Sequence, residues 1–245
     1  MTWLEYVDTW LLVWFNRWIG HSPETFSSAL KISNRAPWIL AAALLTWLWF
    51  SGDEGWVPFR TTYTRWMARR RVLSILAALV AGFGLARVAQ TIVPRPRPFN
   101  VVALQVPIVP SVWDKIRASM ATQGAFPSDH AVMFFIIVLG LGSLSRKGGA
   151  PALVGALFFS ALRVGLGFHW PSDMLGGAVI GAIALGLVVL VERVWPQPWD
   201  WVIALFYRLP AIAYPVGFLL LFDLSQKFAG LFGLVVQVLG HDVAH

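Results

Sequence analysis

The sequence predicts an all-α protein: a polytopic membrane helical bundle of about six spans, preceded by an N-terminal helix lying at the interface. Three observations predict it. The 245 residues are 58% hydrophobic and 13% charged, roughly half the charge of a soluble domain, about 25%. The apolar residues fall in long blocks with short polar connections between them, as membrane spans require. The surplus of +7 is clustered, with Arg60, Arg65, Arg69, Arg70 and Arg71 in one connection and Arg146 and Lys147 in another. Cations gathered between apolar blocks mark cytoplasmic loops, so no nucleic-acid partner is expected.

Residues 1–35 form the N-terminal helix and its connection. From Thr2 to Ile19, Glu5, Asp8, Asn16 and Arg17 interrupt an apolar stretch holding four tryptophans. A polar face with an aromatic belt suits a helix lying flat on the membrane. Crossing it normally takes about 20 mostly apolar residues. Glu5 and Asp8 stand where a signal peptide carries basic residues, so no cleavage is expected. Zero cysteines exclude disulfides and thiol chemistry.

Residues 36–195 form the membrane core. Its spans are expected at Pro37–Phe50, Val72–Val93, His130–Leu144, Ala150–Phe168 and Met174–Val191. Gly177 and Gly181 have the spacing of close helix packing. The tryptophans near span ends read as interfacial anchors. Residues 196–245 are a hydrophobic extension with no assignable role. Within it Trp201–Phe222 is a sixth candidate span despite Arg208, Pro210 and Pro215, whereas Phe228–Leu239 is too short to span easily.

With the basic connections inside, the Pro94–Gly124 loop, the start of the third span and the turn between the fourth and fifth share the opposite face. All the unusual polar residues gather there. Arg95 and Arg97 sit in the proline-stiffened "VPRPRPF"; Ser128, Asp129 and His130 open the third span; Arg163 lies inside the fourth, followed by His169 and Asp173. A cation within a span costs roughly 2.5–3.5 kcal/mol on insertion scales and so faces a partner or a polar cavity. Arg163 lies about 9 Å of helix rise before His169, close enough to share one pocket. Ser128 and Asp129 suit a helix N-cap, and a capped N-terminus also binds phosphate. Asp173, one turn after His169, can reach an imidazole nitrogen and fix its tautomer.

Arginines and helix N–H groups stabilise the charge of a transferring phosphoryl group. One histidine can attack phosphorus while the other protonates the leaving oxygen. Within these three clusters no Asp/Glu cluster or His-x-x-x-His pair offers a cage, so metal-independent phosphoryl transfer is expected, with no cofactor. His21, His241 and His245 lie far from these clusters in sequence and are read as bystanders.

These residues resemble the type 2 phosphatidic acid phosphatase (PAP2) superfamily. Its pattern has three blocks: Lys-x6-Arg-Pro, Pro-Ser-Gly-His and Ser-Arg-x5-His-x3-Asp. Here they fall at Gln90–Pro98, Pro127–His130 and Leu162–Asp173 with the internal spacing kept. The resemblance covers roughly Pro37 to Trp195. It implies His169 as the nucleophile of a phosphohistidine, Asp173 as its orienting and charge-stabilising partner and His130 as the acid. Arg97, Ser128 and Arg163 would hold the phosphate oxygens.

The sequence departs from the pattern at three positions. Gln90 replaces the lysine, and Arg87 and Arg95 are the cations that would compensate. Leu162 replaces the serine of the third block, and Asp129 replaces the glycine of the second. With "FPSDH", "RPRPF" and "HWPSDMLGG", the chain looks like the branch that dephosphorylates undecaprenyl diphosphate, a lipid-carrier recycling step on the periplasmic or extracytoplasmic side of the plasma membrane. Its expected partners are that lipid diphosphate and the bilayer; oligomeric state is left open. The alternatives are a phosphatase or phosphotransferase for phosphatidylglycerophosphate, phosphatidate or lipid A phosphate, and a non-catalytic lipid-binding or transport protein.

Overall fold

A computed structural model describes residues 2–52, 63–121 and 124–225. Arg60, the stretch Phe228–Leu239, His241 and His245 lie outside the described residues. The helices described are α1 (Trp3–Ile19), α2 (Pro23–Trp49), α3 (Arg65–Ile92), α4 (Pro98–Val101), α5 (Pro110–Ser119), α6 (Asp129–Leu144), α7 (Arg146–Gly165), α8 (Pro171–Val194), α9 (Gln197–Arg208) and α10 (Pro210–Ser225). No strand occurs among the described residues, so the all-α class holds. Of these helices α3, α7 and α8 are long and apolar enough to cross a membrane, while α6 and Pro210–Leu224 are shorter apolar helices. Six such spans are not found among the described residues.

The chain forms two compact units: Met1–Pro37 with Ser74–Leu190, and Trp38–Leu73 with Val191–His245. In the first, α6 is the core helix, apolar and buried from His130 through Leu141 with few interruptions. Its neighbours come close because they offer glycines. A Cβ on Gly177 would stand 2.5 Å from the Ser128 carbonyl oxygen, and one on Gly181 would stand 2.7 Å from that of Val132. Gly177 and Gly181 therefore seat α8 on α6 within the chain. Gly149 of α7 meets Gly142 of α6 in the same way.

The N-terminal helix, expected to lie at the interface, buries part of its polar stripe. A capping box between Thr2 and Glu5 starts α1, and Asp8, Leu12, Asn16 and Ile19 form its buried face. Trp3, Trp10, Trp14 and Trp18 are exposed. Asn16 donates to the carbonyls of Gln105 and Gly165 at 3.1 and 3.0 Å and accepts the Gln105 amide at 2.8 Å. Asp8 and Asn16 point inward, where buried backbone groups need partners, while Glu5 and Arg17 stay exposed.

The Pro94–Gly124 connection also carries more structure than a loop, since α4 and α5 lie within it. Arg65, Arg69, Arg70 and Arg71 belong to the first turns of α3, and Arg146 and Lys147 open α7. In the second unit, the Arg69 Nε donates to the Trp49 carbonyl and its guanidinium lies over the Trp49 and Tyr207 rings. Arg70 and the Trp66 indole donate to Asp200. The expected span Trp201–Phe222 is two helices, broken at Leu209. Pro210 supplies no N–H to continue α9 and suits the first turn of α10.

Candidate active site

The site grows from the proline-rich segment before α4. Pro94, Pro96 and Pro98 fix their own φ angles and remove donors, keeping the chain extended. Neighbouring segments hold it from two directions. The Ala125 amide donates to the Arg95 carbonyl at 2.9 Å, and the Phe99 amide donates to that of Gly167 at 3.1 Å. The Trp170 indole donates to the Pro96 carbonyl at 3.0 Å. Gly167 has φ +77°, and a Cβ there would strike Leu104, so the turn into His169 requires glycine.

Arg97 is buried between these segments, 5% exposed. Its Nη1 donates to the Phe168 carbonyl at 2.9 Å and lies 3.5 Å from His169 Nε2, while Nη2 donates to the Gly124 carbonyl at 3.3 Å. Burial pulls the guanidinium below its ordinary pKa, and the charges of Asp129 and Asp173 pull it back up.

His169 is 3% exposed. Its Nδ1 lies 2.8 Å from the Ala125 carbonyl oxygen. A carbonyl only accepts, so Nδ1 carries the proton and the Nε2 lone pair faces Arg97. Asp173 was expected to reach the imidazole directly. Its Oδ2 stands 3.9 Å from Nδ1, an ion-pair rather than a hydrogen-bond distance, and accepts the Trp170 amide at 2.7 Å. The backbone thus sets the tautomer, and the Asp173 carboxylate stands at ion-pair distance from Nδ1. The Ala125 carbonyl was not foreseeable, because any residue can provide one.

The second block meets the third through its backbone, where the Ser128 amide donates to the Asp173 carbonyl at 3.2 Å. Ser128 is the N-cap of α6, accepting weakly from the Ala131 amide at 3.4 Å. Asp129 is therefore the first helical residue rather than the cap. His130 follows in the same turn, 4% exposed, its ring edge-on to Phe134. Gln90 near the end of α3 donates to Asp129 Oδ1 at 3.0 Å and to the Pro127 carbonyl at 3.2 Å. The two departures from the block pattern form one contact: the amide at the lysine position holds the carboxylate at the glycine position.

Neither proposed substitute for that lysine presents itself simply. Arg87 is exposed on α3, and Arg95 is gripped by Asp8 and Asp173 at 2.7 and 2.6 Å. Arg163 is 5% exposed near the end of α7, donating from Nη1 to Asn34 Oδ1 at 3.1 Å with its guanidinium over Phe168. Its buried Nε has no hydrogen-bond partner among the described residues. Arg97 and Asp129 lie within its electrostatic reach. Asn34 and Asp8 join the site from outside the three blocks. Nothing in their local sequence separates them from other polar residues of α1 and α2.

All three blocks are thus joined at one end of the first unit. A sequence model of the PAP2 superfamily matches residues 71–196. The chain belongs to this superfamily. The YbjG protein of Escherichia coli (strain K12) is 41% identical over 64 residues, 26% of this chain and 32% of YbjG. The undecaprenyl-diphosphatase BcrC of Bacillus subtilis (strain 168) is 23% identical over 170 residues, 69% of this chain and 76% of BcrC. The undecaprenyl-diphosphatase of Sulfolobus acidocaldarius is 23% identical over 148 residues, 58% of this chain and 65% of that protein. The chain therefore spans about a third of YbjG's length and about two thirds to three quarters of the other two. No solved structure matches it. The PAP2 match takes in every block residue but begins after α1 and α2, so Asp8 and Asn34 are contributed from outside it.

Proposed function

We propose that this PAP2 protein is an integral membrane phosphatase that hydrolyses undecaprenyl diphosphate to undecaprenyl phosphate and phosphate. His169 Nε2 attacks the terminal phosphorus, and the bond from that phosphorus to the bridging oxygen breaks. His130 protonates the departing oxygen. Water then attacks the phosphohistidine, giving a proton to His130, and the P–N electron pair returns to Nε2 as phosphate leaves. Arg97, Ser128 and Arg163 hold the equatorial oxygens, where positive charge stabilises the transition state most. Asp173 offsets the positive charge that the imidazole acquires while Nδ1 keeps its proton.

The observation that carries this reading is the buried His169, with Nδ1 against the Ala125 carbonyl and Nε2 beside the Arg97 guanidinium. A nucleophile in its reactive tautomer, next to a cation that attracts phosphate, is what the first step requires. The diphosphate substrate is supported by the names of the Bacillus and Sulfolobus relatives. The extracytoplasmic face is supported by the basic residues at the starts of α3 and α7, at the other ends of those helices from Gln90 and Arg163.

The test is phosphate release by purified protein in detergent, with chelator, from undecaprenyl diphosphate, phosphatidylglycerophosphate, phosphatidate and lipid A. The expected result is preference for the polyprenyl diphosphate, abolished in His169→Ala. Preference for a glycerophospholipid would overturn the substrate and spare the site. Phosphate appearing on a second lipid instead of in water would make the protein a phosphotransferase. A reporter fused before Arg65 and found outside the cytoplasm would overturn the orientation.

A further inference from the structure

Asp8 of α1 is 1% exposed, the most deeply buried charged residue outside the three blocks among the described residues. Its partners account for both carboxylate oxygens. Oδ1 accepts the Ser172 amide at 2.9 Å, and Oδ2 accepts the Ser172 hydroxyl and, at 2.7 Å, Arg95 Nη2. Arg95 Nη1 in turn donates to Asp173 Oδ1 at 2.6 Å and to the Ser172 hydroxyl at 2.7 Å. Its guanidinium lies over the Trp170 ring, 5.3 Å from the centroid.

Ser172 is the second residue of α8 and Asp173 the third. Their amides belong to the first turn, whose N–H groups have no partner within the helix. Asp8 therefore caps α8 from another helix, performing for the Ser172 amide what an N-cap side chain normally does from within. It also holds Arg95, which divides its hydrogen bonds between two carboxylates. Without Asp8 the whole guanidinium charge would fall on Asp173, the group beside His169 Nδ1.

We propose that Asp8 is a positioning residue for the phosphoryl-transfer site. Acting through Ser172 and Arg95, it fixes the orientation and effective charge of Asp173 toward His169, making α1 a working part of the site rather than only a membrane anchor. The proposal rests on His169 being the nucleophile. It needs no contact between Asp8 and substrate, so its signature is in kcat and not in KM. Small displacements of reacting groups cost up to about 100-fold in rate, and Asp8→Asn, which keeps the shape and loses the charge, is expected to lower kcat about 10- to 100-fold with KM within about twofold.

The control is Asn16→Ala, on the same buried face of α1. Asn16 fastens the helix to Gln105 and Gly165 and touches none of Asp8, Ser172 or Arg95. If α1 is only an anchor, both variants lose thermal stability and kcat in parallel. The proposal expects Asn16→Ala to lose stability and keep kcat. Should Asp8→Asn not purify, Ser172→Ala decides on the same readout, with an expected loss of about 3- to 10-fold. A substrate-free arm follows carbethoxylation of His169 by diethyl pyrocarbonate, mapped by mass spectrometry. Its rate is expected to change at least about threefold in Asp8→Asn and not in Asn16→Ala. Wild-type protein inert on every lipid phosphate would overturn the proposed function, while the carbethoxylation arm would still report on Asp8. Wild-type kcat and wild-type His169 reactivity in Asp8→Asn would overturn the proposal.

Discussion

Each compact unit contains an arginine that grips an aspartate from a distant part of the chain. In the second unit Arg70 holds Asp200, their side chains 29% and 38% exposed. In the first, Arg95, itself 25% exposed, holds Asp8 and Asp173, whose side chains are 2% and 0% exposed, so the two settings differ in their carboxylates. Similar donor geometry has different consequences in the two settings. The exposed pair is screened by water and salt and contributes about 0–1 kcal/mol. The buried cluster forgoes the hydration of two carboxylates, and breaking such a group by removing one partner costs about 3–5 kcal/mol. A chain that only needed to join helices could do so more economically with apolar side chains. The buried cluster makes sense where the position and charge of Asp173 matter, and Asp173 stands beside the His169 imidazole.

The largest effect is therefore expected on removing the shared cation. Arg95→Ala leaves two buried carboxylates uncompensated, and should lower thermal stability by the equivalent of about 3–5 kcal/mol while nearly abolishing turnover. Unfolding followed by intrinsic fluorescence and phosphate release on the same preparation measure both. Arg163→Ala should separate the two quantities. In its proposed role Arg163 is a transition-state donor, whose removal costs about 10²–10³ in kcat, yet burying a cation whose Nε has no partner among the described residues is offset only in part by Asn34 and the Phe168 ring, so the midpoint should hold or rise.

Gln90→Lys comes next. An ammonium at that position meets Asp129, already the partner of the Gln90 amide, so turnover should stay within about threefold of wild type. A gain well beyond that would mean the first-block cation is missing from the phosphate site. The smallest effect belongs to the exposed pair. The Arg70 guanidinium and the Trp66 indole hold the Asp200 carboxyl below its ordinary pKa. A depressed carboxylate stabilises the fold above its unfolded pKa and loses that contribution as pH falls through the lower folded value. Asp200→Asn should thus change stability by no more than about 1 kcal/mol at neutral pH, with a difference that vanishes in acid and an unchanged kcat.

Much of this was readable from residues in order. The apolar blocks gave helices, the three polar blocks converge as expected, and Ser128 caps α6. What escaped the sequence shares one physical cause. A polar stripe on an amphipathic helix says that one face wants hydrogen bonds, but not whether water or protein supplies them. In α1 part of the stripe turns inward, since Asn16 finds Gln105 and Gly165, and Asp8 finds Ser172 and Arg95, while Glu5 and Arg17 stay exposed. The same limit applies to His169. Its spacing from Asp173 was correct for a contact, yet the acceptor at Nδ1 is the backbone of Ala125, remote in sequence and without a side-chain signature. In Trp201–Phe222 the apolar composition suggests one span, whereas the backbone breaks at Leu209 because Pro210 lacks the donor to continue α9.

The central claim is that His169 is the atom-bearing partner of the transferred phosphoryl group. Undecaprenyl diphosphate labelled in its terminal phosphate, mixed with the protein and quenched during turnover, tests it directly. The label should appear on protein as an acid-labile, base-stable phosphohistidine that maps to His169, and both label and phosphate release should disappear in His169→Ala. Undiminished phosphate release by His169→Ala would contradict the account.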